Sequence, residues 1–340
     1  MADTLQTLSL LVLSQNYKPG LVRQINRQAT GLKCLQFVAG EGKNVAFAPQ
    51  ASGAVAENFA EGADAANFGS DGQTSAILNW GMYRSNFHVS GLAMATSSTS
   101  TSPEGNLKLW ANNMSTSMAV LAGTINGLLY TGAGTGTTIA GLDVAIGSAT
   151  NTYATIDRTV GANAFWIPSV FAPGAPTALT LALIRSDLAT IFTACGTRPD
   201  LALVHPNVFN KIAGLFDELK QYVLQVDTAR GVVSLDGSAG AINIDGCMFV
   251  EDKDATDGKI YYVNTSHVRF MYLPMNLSII PGMTDEIMEL FADDGFGVTP
   301  LGVQMEMLAK SGDSEKATMK TYIQLVCDQP NSCGVRSNIA

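Results

Sequence analysis

Between residues 103 and 130 the apolar side chains Leu107, Trp110, Met114, Met118, Leu121, Ile125 and Leu128 recur at steps of three and four, with Leu129 beside the last. That spacing predicts one helix over 103–130, roughly 40 Å long, with a continuous apolar stripe. Ser102 as N-cap, Pro103 at the first helical position and Glu104 near the positive end mark its start. Gly105, Gly123 and Gly127 lower its intrinsic helicity and are read as points of close backbone approach. A long spine between an extended region and a compact one suits a subunit that tiles against copies of itself.

Upstream, residues 1–44 read as a leading arm. Leu5, Leu8, Leu11 and Val12 predict a short amphipathic helix that Pro19-Gly20 ends, and a weaker helical pattern covers 21–27. Residues 45–95 read as a long hairpin with a glycine-rich, acidic tip at 61–72. Ile77, Asn79, Gly81, Tyr83, Ser85, Phe87 and Val89 alternate there with Leu78, Trp80, Met82 and His88, so apolar residues stand on both faces. An isolated hairpin is marginal in water, and a neighbouring subunit is expected to cover it. Trp80, Tyr83 and Phe87 are the interface candidates. Residues 95–102, rich in Ser and Thr, read as a hinge.

From residue 180 the pattern predicts a compact α+β domain. Thr180 caps a helix with Leu181, Ile184, Leu188, Ile191, Phe192 and Cys195 on one face, stopped by Gly196. A strand follows at 201–204, then a helix opened by His205-Pro206 with Phe209, Ile212, Phe216 and Leu219 inward. Further strands are expected at 242–250 and 260–272, separated by a solvated acidic turn, and at 300–310 and 318–326.

Composition sharpens the picture. Charged residues make up 14% of the 340, against about a quarter in ordinary domains, so subunit contacts are expected to hide surface. A net charge of −9 argues against a dedicated nucleic-acid binder, while a DNA container stays compatible. The apolar run at 8–13 is too short to span a bilayer and lacks a positive flank, so neither a signal peptide nor a membrane anchor is expected. Cys34, Cys195, Cys247, Cys327 and Cys333 read as reduced, mostly buried thiols; whether Cys327 and Cys333 pair stays open.

Catalytic signals are weak. Gly132, Gly134 and Gly136 form GxGxG after a helix, where a dinucleotide site needs a strand before it, so they read as a flexible loop. His88, His205 and His267 lack metal-ligand spacing. Asp187, Cys195 and His205 can be drawn as a nucleophilic site, but nothing local activates the thiol. Glu251, Asp252, Asp254 and Asp257 resemble a calcium loop in charge alone and read as a hydrated turn. No catalytic, cofactor or metal residue is assigned. Asp157-Arg158, between Tyr153 and Phe165-Trp166, leaves two readings open: an intrachain ion pair or a positional role at an interface.

These segments together carry a resemblance. The run Leu128-Leu129-Tyr130, Gly132-Ala133-Gly134-Thr135-Gly136, Ile139-Ala140-Gly141-Leu142 continues through Thr152-Tyr153-Ala154-Thr155-Ile156-Asp157-Arg158 to Phe165-Trp166. A second run is Gly196-Thr197-Arg198-Pro199-Asp200-Leu201-Ala202-Leu203-Val204-His205-Pro206, and a third leads from Tyr322 to Asp328-Gln329-Pro330. In this order they resemble the major capsid proteins of tailed bacteriophages, the family with the Hong Kong 97 fold.

The resemblance implies an N-terminal arm at 1–44, an extended loop at 45–95, a peripheral domain at 96–171 and 299–340 containing the spine, and an axial domain at 172–298. It implies pentamers and hexamers of an icosahedral shell around double-stranded DNA, formed in the host cytoplasm and carried in the virion. Its implied partners are other copies of the chain, a portal, a separate scaffolding protein (the sequence starts almost directly with the arm) and a decoration protein. Packaged DNA is contacted non-specifically, and no membrane or cofactor is involved. The alternatives are an encapsulin-like shell around a cargo enzyme and, more remotely, a cytoplasmic hydrolase using Cys195 or His205.

Overall fold

The computed structural model describes residues 29–50, 54–62, 64, 68–69, 72–97, 109–216, 242–274, 303–309 and 312–340. The arm helices expected within 1–28, residues 98–102 of the hinge expected at 95–102, the spine start at 103–108 and Leu219 lie outside the described residues, while residues 95–97 end a helix that begins at Gly91.

In chain order the elements begin with α1 (Thr30–Cys34), β1 (Gln36–Ala39), β2 (Val45–Phe47), β3 (Ala76–Leu78), β4 (Gly81–Ser90), α2 (Gly91–Ser97) and α3 (Leu109–Thr131). Next come α4 (Leu142–Ala145), β5 (Thr152–Tyr153), β6 (Ile156–Asp157), a 3-10 turn (Gly161–Trp166), β7 (Ser169–Phe171), α5 (Leu181–Cys195), β8 (Leu201–Val204) and α6 (Pro206–Gly214). The remainder are β9 (Ile242–Ile244), β10 (Cys247–Glu251), β11 (Ile260–Val263), β12 (Val268–Tyr272), β13 (Gln304–Leu308), β14 (Ser314–Cys327), a 3-10 turn (Pro330–Ser332) and β15 (Gly334–Arg336).

These residues fall into two compact units, one of Ala29, Met82–Asn126 and Tyr272–Ile323, the other of Thr30–Gly81, Gly127–Met271 and Gln324–Ala340. In the first, β13 runs antiparallel to β14 from Gln304↔Lys320 to Leu308↔Lys316, and β4 also pairs with β14. Met114 on α3 and Met319 on β14 form a small core, with Phe87, Met118 and Val303 packed on it. The spine stripe has the expected period: Met114, Leu121 and Ile125 are buried. Its buried face is wider than an apolar stripe, since Ser115, Ser117 and Asn126 are buried too. The glycine reading is corrected for Gly123 and Gly127, where an added Cβ meets nothing within 4 Å.

The second unit centres on a mixed six-stranded sheet, β7-β15-β11-β8-β10-β9. β10 runs parallel to β8 and β15 parallel to β7, while β11 is antiparallel to both β8 and β15. Ala202 and Val204 on β8, Phe249 on β10 and Tyr262 on β11 share a core with Ile184, Leu188 and Ile191 of α5 and Val208 and Ile212 of α6. Tyr261, turned to the other face, meets the ring of Tyr130 at 5.4 Å. With both faces covered, β8 and β11 are buried along their whole length, which explains their unbroken apolar runs.

Local signals set the helix ends. The Thr180 side chain accepts the N–H of Leu183, and Gly196 ends α5 with φ 78°. His205 caps α6 and Pro206 opens it. Two differences stand out on α5. Phe192, expected inward, is 46% exposed, while Asp187 is buried because it pairs with Arg336 from β15. The segments at 242–250 and 260–272 are each split by a turn, the first by Asp245 and Gly246 in left-handed conformations.

Candidate assembly surface and the joint at its root

The extended loop is rooted in the second unit by a short ladder. Val45 to Phe47 pair antiparallel with Leu78 to Ala76, a bridge joins Gln50 to Gln73, and the Thr74 N–H donates to the Pro49 carbonyl at 3.1 Å. Trp80 follows at the end of the root. It is 5% exposed, and its indole N–H donates to the Gly42 carbonyl at 3.1 Å. Its ring also fills the space beside Gly40, where a Cβ would lie 2.7 Å from it. Trp80 is therefore covered by its own subunit, because an indole with one polar atom is cheapest to bury where that atom finds an acceptor.

β4 shows one regular alternation. Tyr83 and Phe87 lie on the half-buried side, and Phe87 packs on the Met114–Met319 core. Met82, Arg84, Asn86 and His88 form the exposed row. The two-faced apolar pattern thus resolves into one covered face and one open face. Farther out, Val55 is 52%, Phe59 72% and Phe68 84% exposed. Of these, Phe59 and Phe68 were not singled out from the sequence. Two isolated phenylalanines in a Gly/Ala-rich polar stretch, with no periodic partner, were the available signal.

The Asp157-Arg158 motif lies behind the root. Tyr153, Ala154, Thr155 and Ile156 make a tight hairpin between β5 and β6, with Ala154 at φ 52° and Thr155 at φ 67°. Asp157 is exposed on it and accepts both the N–H and the hydroxyl of Thr159 at 2.8 Å, which hold its carboxyl below the usual range. Arg158 is 2% exposed. Its Nε donates to the Trp166 carbonyl at 2.9 Å, Nη2 to Ala145 at 2.5 Å, and Nη1 to Ser148 at 2.8 Å, Val144 at 3.3 Å and the Asn151 side chain at 2.6 Å. Among the described residues it has no carboxylate partner, so the ion-pair reading is replaced by a cage of carbonyls. Burial pulls its pKa down to about 10.

The same cage carries the loop root. Trp166 stacks on Tyr153 at 5.9 Å, donates its indole N–H to the Tyr153 carbonyl at 3.2 Å, and meets Phe47 of β2 at 6.1 Å. The Ile77 N–H on β3 donates to the Ala154 carbonyl at 3.0 Å. Arg158, Tyr153 and Trp166 therefore hold the strands from which the loop departs.

The glycine-rich turn beside this cage is packed, where a flexible loop was expected. Gly132 donates to the Leu128 carbonyl and accepts from Gly141, and Gly134 donates to Ile139. A Cβ on Gly132 would collide with the Ile139 carbonyl, and one on Gly141 would lie 2.6 Å from the Gly132 nitrogen. Glycine serves here to bring two backbones together.

The hydrated reading of the acidic turn holds for the exposed Asp257 and is corrected at Asp252. Asp252 is buried, and its Oδ2 accepts the Gly31 N–H at 2.7 Å and the Tyr130 hydroxyl at 2.8 Å, tying α1 to the end of α3. Asp257 reaches the Asn207 side chain at 2.9 Å. Among the described residues no group of three or more His, Cys, Asp or Glu could hold a metal ion, and no helix is long and apolar enough to cross a membrane. Asp187, Cys195 and His205 are not brought together by hydrogen bonds. Asp187 pairs with Arg336, the Cys195 thiol bonds to Ile191 and Thr197, and His205 accepts the Asn207 N–H.

Comparison with known proteins agrees with this architecture. The cyanophage A-1(L) capsid asymmetric unit superposes with a TM-score of 0.72 at 20% identity, covering 96% of this chain and 97% of that one. The capsid of the native GTA particle gives 0.57 at 11% identity over 94% and 93%, and the holo-SrpI encapsulin of Synechococcus elongatus PCC 7942 gives 0.56 at 13% over 98% and 94%. No match was found among curated proteins. The fold is that of the tailed-phage capsid proteins, the Hong Kong 97-like α+β fold. A family model described as SU10 major capsid protein matches residues 47–340. The chain thus belongs to the SU10 major capsid protein family, structural proteins of the virion that associate with copies of themselves to build the capsid shell.

Proposed function

We propose that this subunit forms the pentamers and hexamers of an icosahedral shell enclosing double-stranded DNA, with the extended loop as its main grip on a neighbour. The observation that carries the reading is the contrast along that loop. Its root is fixed by the Arg158–Tyr153–Trp166 cage, while Phe59 and Phe68 farther out stay largely in water. Large apolar side chains held out from a fixed root mark a surface that a partner covers. The half-buried Tyr83 and Phe87 and the exposed Asp157 are further interface candidates.

In this reading residues 1–44 are the N-terminal arm and 45–95 the extended loop. Residues 96–171 and 299–340 form the peripheral domain, and 172–298 the axial domain around five- and six-fold positions. Shells assemble in the host cytoplasm on a separate scaffolding protein, with a portal at one vertex, and a decoration protein joins the finished surface. The net charge of −9 disfavours tight DNA binding and is compatible with a wall that packaged DNA touches only weakly and non-specifically. The likeness to an encapsulin supports a second reading, a shell around a cargo enzyme. Electron microscopy of purified particles, with analysis of their contents, decides between the two: a genome supports the capsid reading and a protein cargo without genome the other. Turnover by a soluble monomer that Cys195→Ala abolishes would instead favour a hydrolase.

A further inference from the structure

We propose that the face of the β4–β14–β13 sheet turned away from α3 is the seat for the acidic extended loop of a second copy, selected by charge. Register defines that face. Phe87 of β4 and Met319 of β14 meet Met114 of α3 on one side of the sheet. Alternation therefore turns Met82, Arg84 and His88 of β4, and Lys316 and Lys320 of β14, to the other side. β13 contributes to the same side, because Glu306 stands opposite Thr318 and Leu308 opposite Lys316.

The face is open along β4 and β13. Met82 is 54% and Leu308 44% exposed, and Arg84, His88 and Glu306 are exposed too. Along β14 the two lysines are half-buried and Thr318 between them is covered. Among the described residues, three permanent cations and one histidine stand there against a single carboxylate, Glu306, which pairs with Lys320. Arg84 finds no carboxylate among the described residues.

The loop carries the opposite sign. From Val45 to Tyr83 the chain has four acids, Glu57, Glu61, Asp64 and Asp71, and no Lys, Arg or His. Glu61 and Asp64 are exposed and have no ion partner among the described residues. They stand two residues from Phe59 and four from Phe68, the two rings held in water. An acidic segment with bare aromatic rings complements a basic face with exposed apolar side chains. Exposed ion pairs are individually weak, so charge steers and registers the encounter while the rings cover Met82 and Leu308. Duplex DNA fits this face less well, since Glu306 and the two apolar side chains would lie under its phosphates. The inference rests on the reading of the loop as the grip on a neighbour, and adds the surface that it grips.

The test is carbodiimide cross-linking of shells assembled from equal parts of heavy-nitrogen-labelled and unlabelled full chain, followed by peptide mapping. The proposal expects Glu61 or Asp64 joined to Lys316 or Lys320 in peptide pairs of mixed label. Pairs of matched label alone, or loop acids joined only to other lysines, would overturn it. Shell yield gives an independent reading. Arg84→Glu with Lys320→Glu should lower the yield of closed shells about tenfold, Glu61→Lys with Asp64→Lys should do the same, and all four changes together should restore most of it. No recovery in a combined variant whose circular dichroism is unchanged would contradict the pairing. A normal yield of shells from the Arg84→Glu, Lys320→Glu variant that retain less DNA would assign the face to nucleic acid instead. If a variant fails to fold, the cross-link map of the unaltered chain decides. Closed shells whose loop acids link to another part of a neighbour sink this inference and leave the loop as the grip. Closed shells whose loop stays uncovered sink both.

Discussion

The guanidinium of Arg158 lies over the ring of Tyr153, 5.3 Å from its centroid, and the Tyr153 hydroxyl at the far end accepts the N–H of Cys327. One buried cation and one buried phenol thus connect the loop root to the end of β14. Replacing Arg158 with Met strips the donor from four carbonyls and an amide oxygen at once. Leaving such groups buried and unpaired should cost the subunit about 3–5 kcal/mol, read by denaturant unfolding. Arg158→Lys should cost nearly as much, because an ammonium cannot reproduce the planar fork. A loss under about 1 kcal/mol would contradict the cage.

The buried pair of Asp187 and Arg336 behaves differently. Arg336 is also placed over the Phe171 ring at 5.2 Å, and the Tyr262 hydroxyl donates to Asp187 at 3.2 Å. Removing either charge alone, as in Asp187→Leu or Arg336→Met, should cost about 3–5 kcal/mol, while the double replacement should recover much of that loss. A double-mutant cycle measures the coupling. Additive losses would show that the pair does not act as a unit.

Two glycines give opposite expectations. Gly132→Ala drives a methyl into the Ile139 carbonyl and should destabilise the subunit by about 2–4 kcal/mol. Gly123→Ala puts its methyl into open space on α3 and should stabilise the isolated subunit by about 0.5–1 kcal/mol through helix propensity. Thermal unfolding of the two variants checks both signs.

Alkaline pH should unfold the subunit in two stages. Burial raises the thiol of Cys34 to about 11 and pushes Cys247 and Cys327 up as well. Burial likewise raises Tyr130, Tyr153, Tyr261 and Tyr262. A group whose folded pKa lies above its unfolded value contributes stability that is full below the unfolded pKa and falls as pH rises past it. Stability should therefore begin to fall near pH 8.5–9 as thiols ionise in the unfolded chain, and fall more steeply above about pH 10 as tyrosines follow. Tyr153→Phe should flatten the second stage in a pH series of unfolding curves.

Much of the architecture was legible because it rests on local signals. Thr180, Gly196 and Pro206 carry their helix ends in their own backbone chemistry, and the strand at 201–204 is a short apolar run bounded by turn residues. What could not be read depends on partners far away in sequence. Asp252 looked solvated because its acceptors' donors, Gly31 and Tyr130, lie 221 and 122 residues away. Asp187 could be drawn from the sequence only into a nucleophilic site with Cys195 and His205, because its partner Arg336 lies on β15, 149 residues on. Arg158 was marked from its surroundings, but a cage of carbonyls leaves no sequence signature, since every residue carries one. At the candidate assembly surface, alternation located the strand at 81–90 without revealing which face was open. The exposed Phe59 and Phe68 belong to no period at all.

The central claim is that a neighbouring copy covers the loop, and a shell assembled with Phe59→Ser and Phe68→Ser tests it most directly. Electron microscopy of this variant beside the unaltered chain should show closed particles from the unaltered chain alone, with circular dichroism of the two subunits unchanged. The same microscopy should place Phe59 and Phe68 against an adjoining subunit. Closed shells of normal yield from the variant, or a reconstruction that leaves both phenylalanines in solvent, would contradict the account.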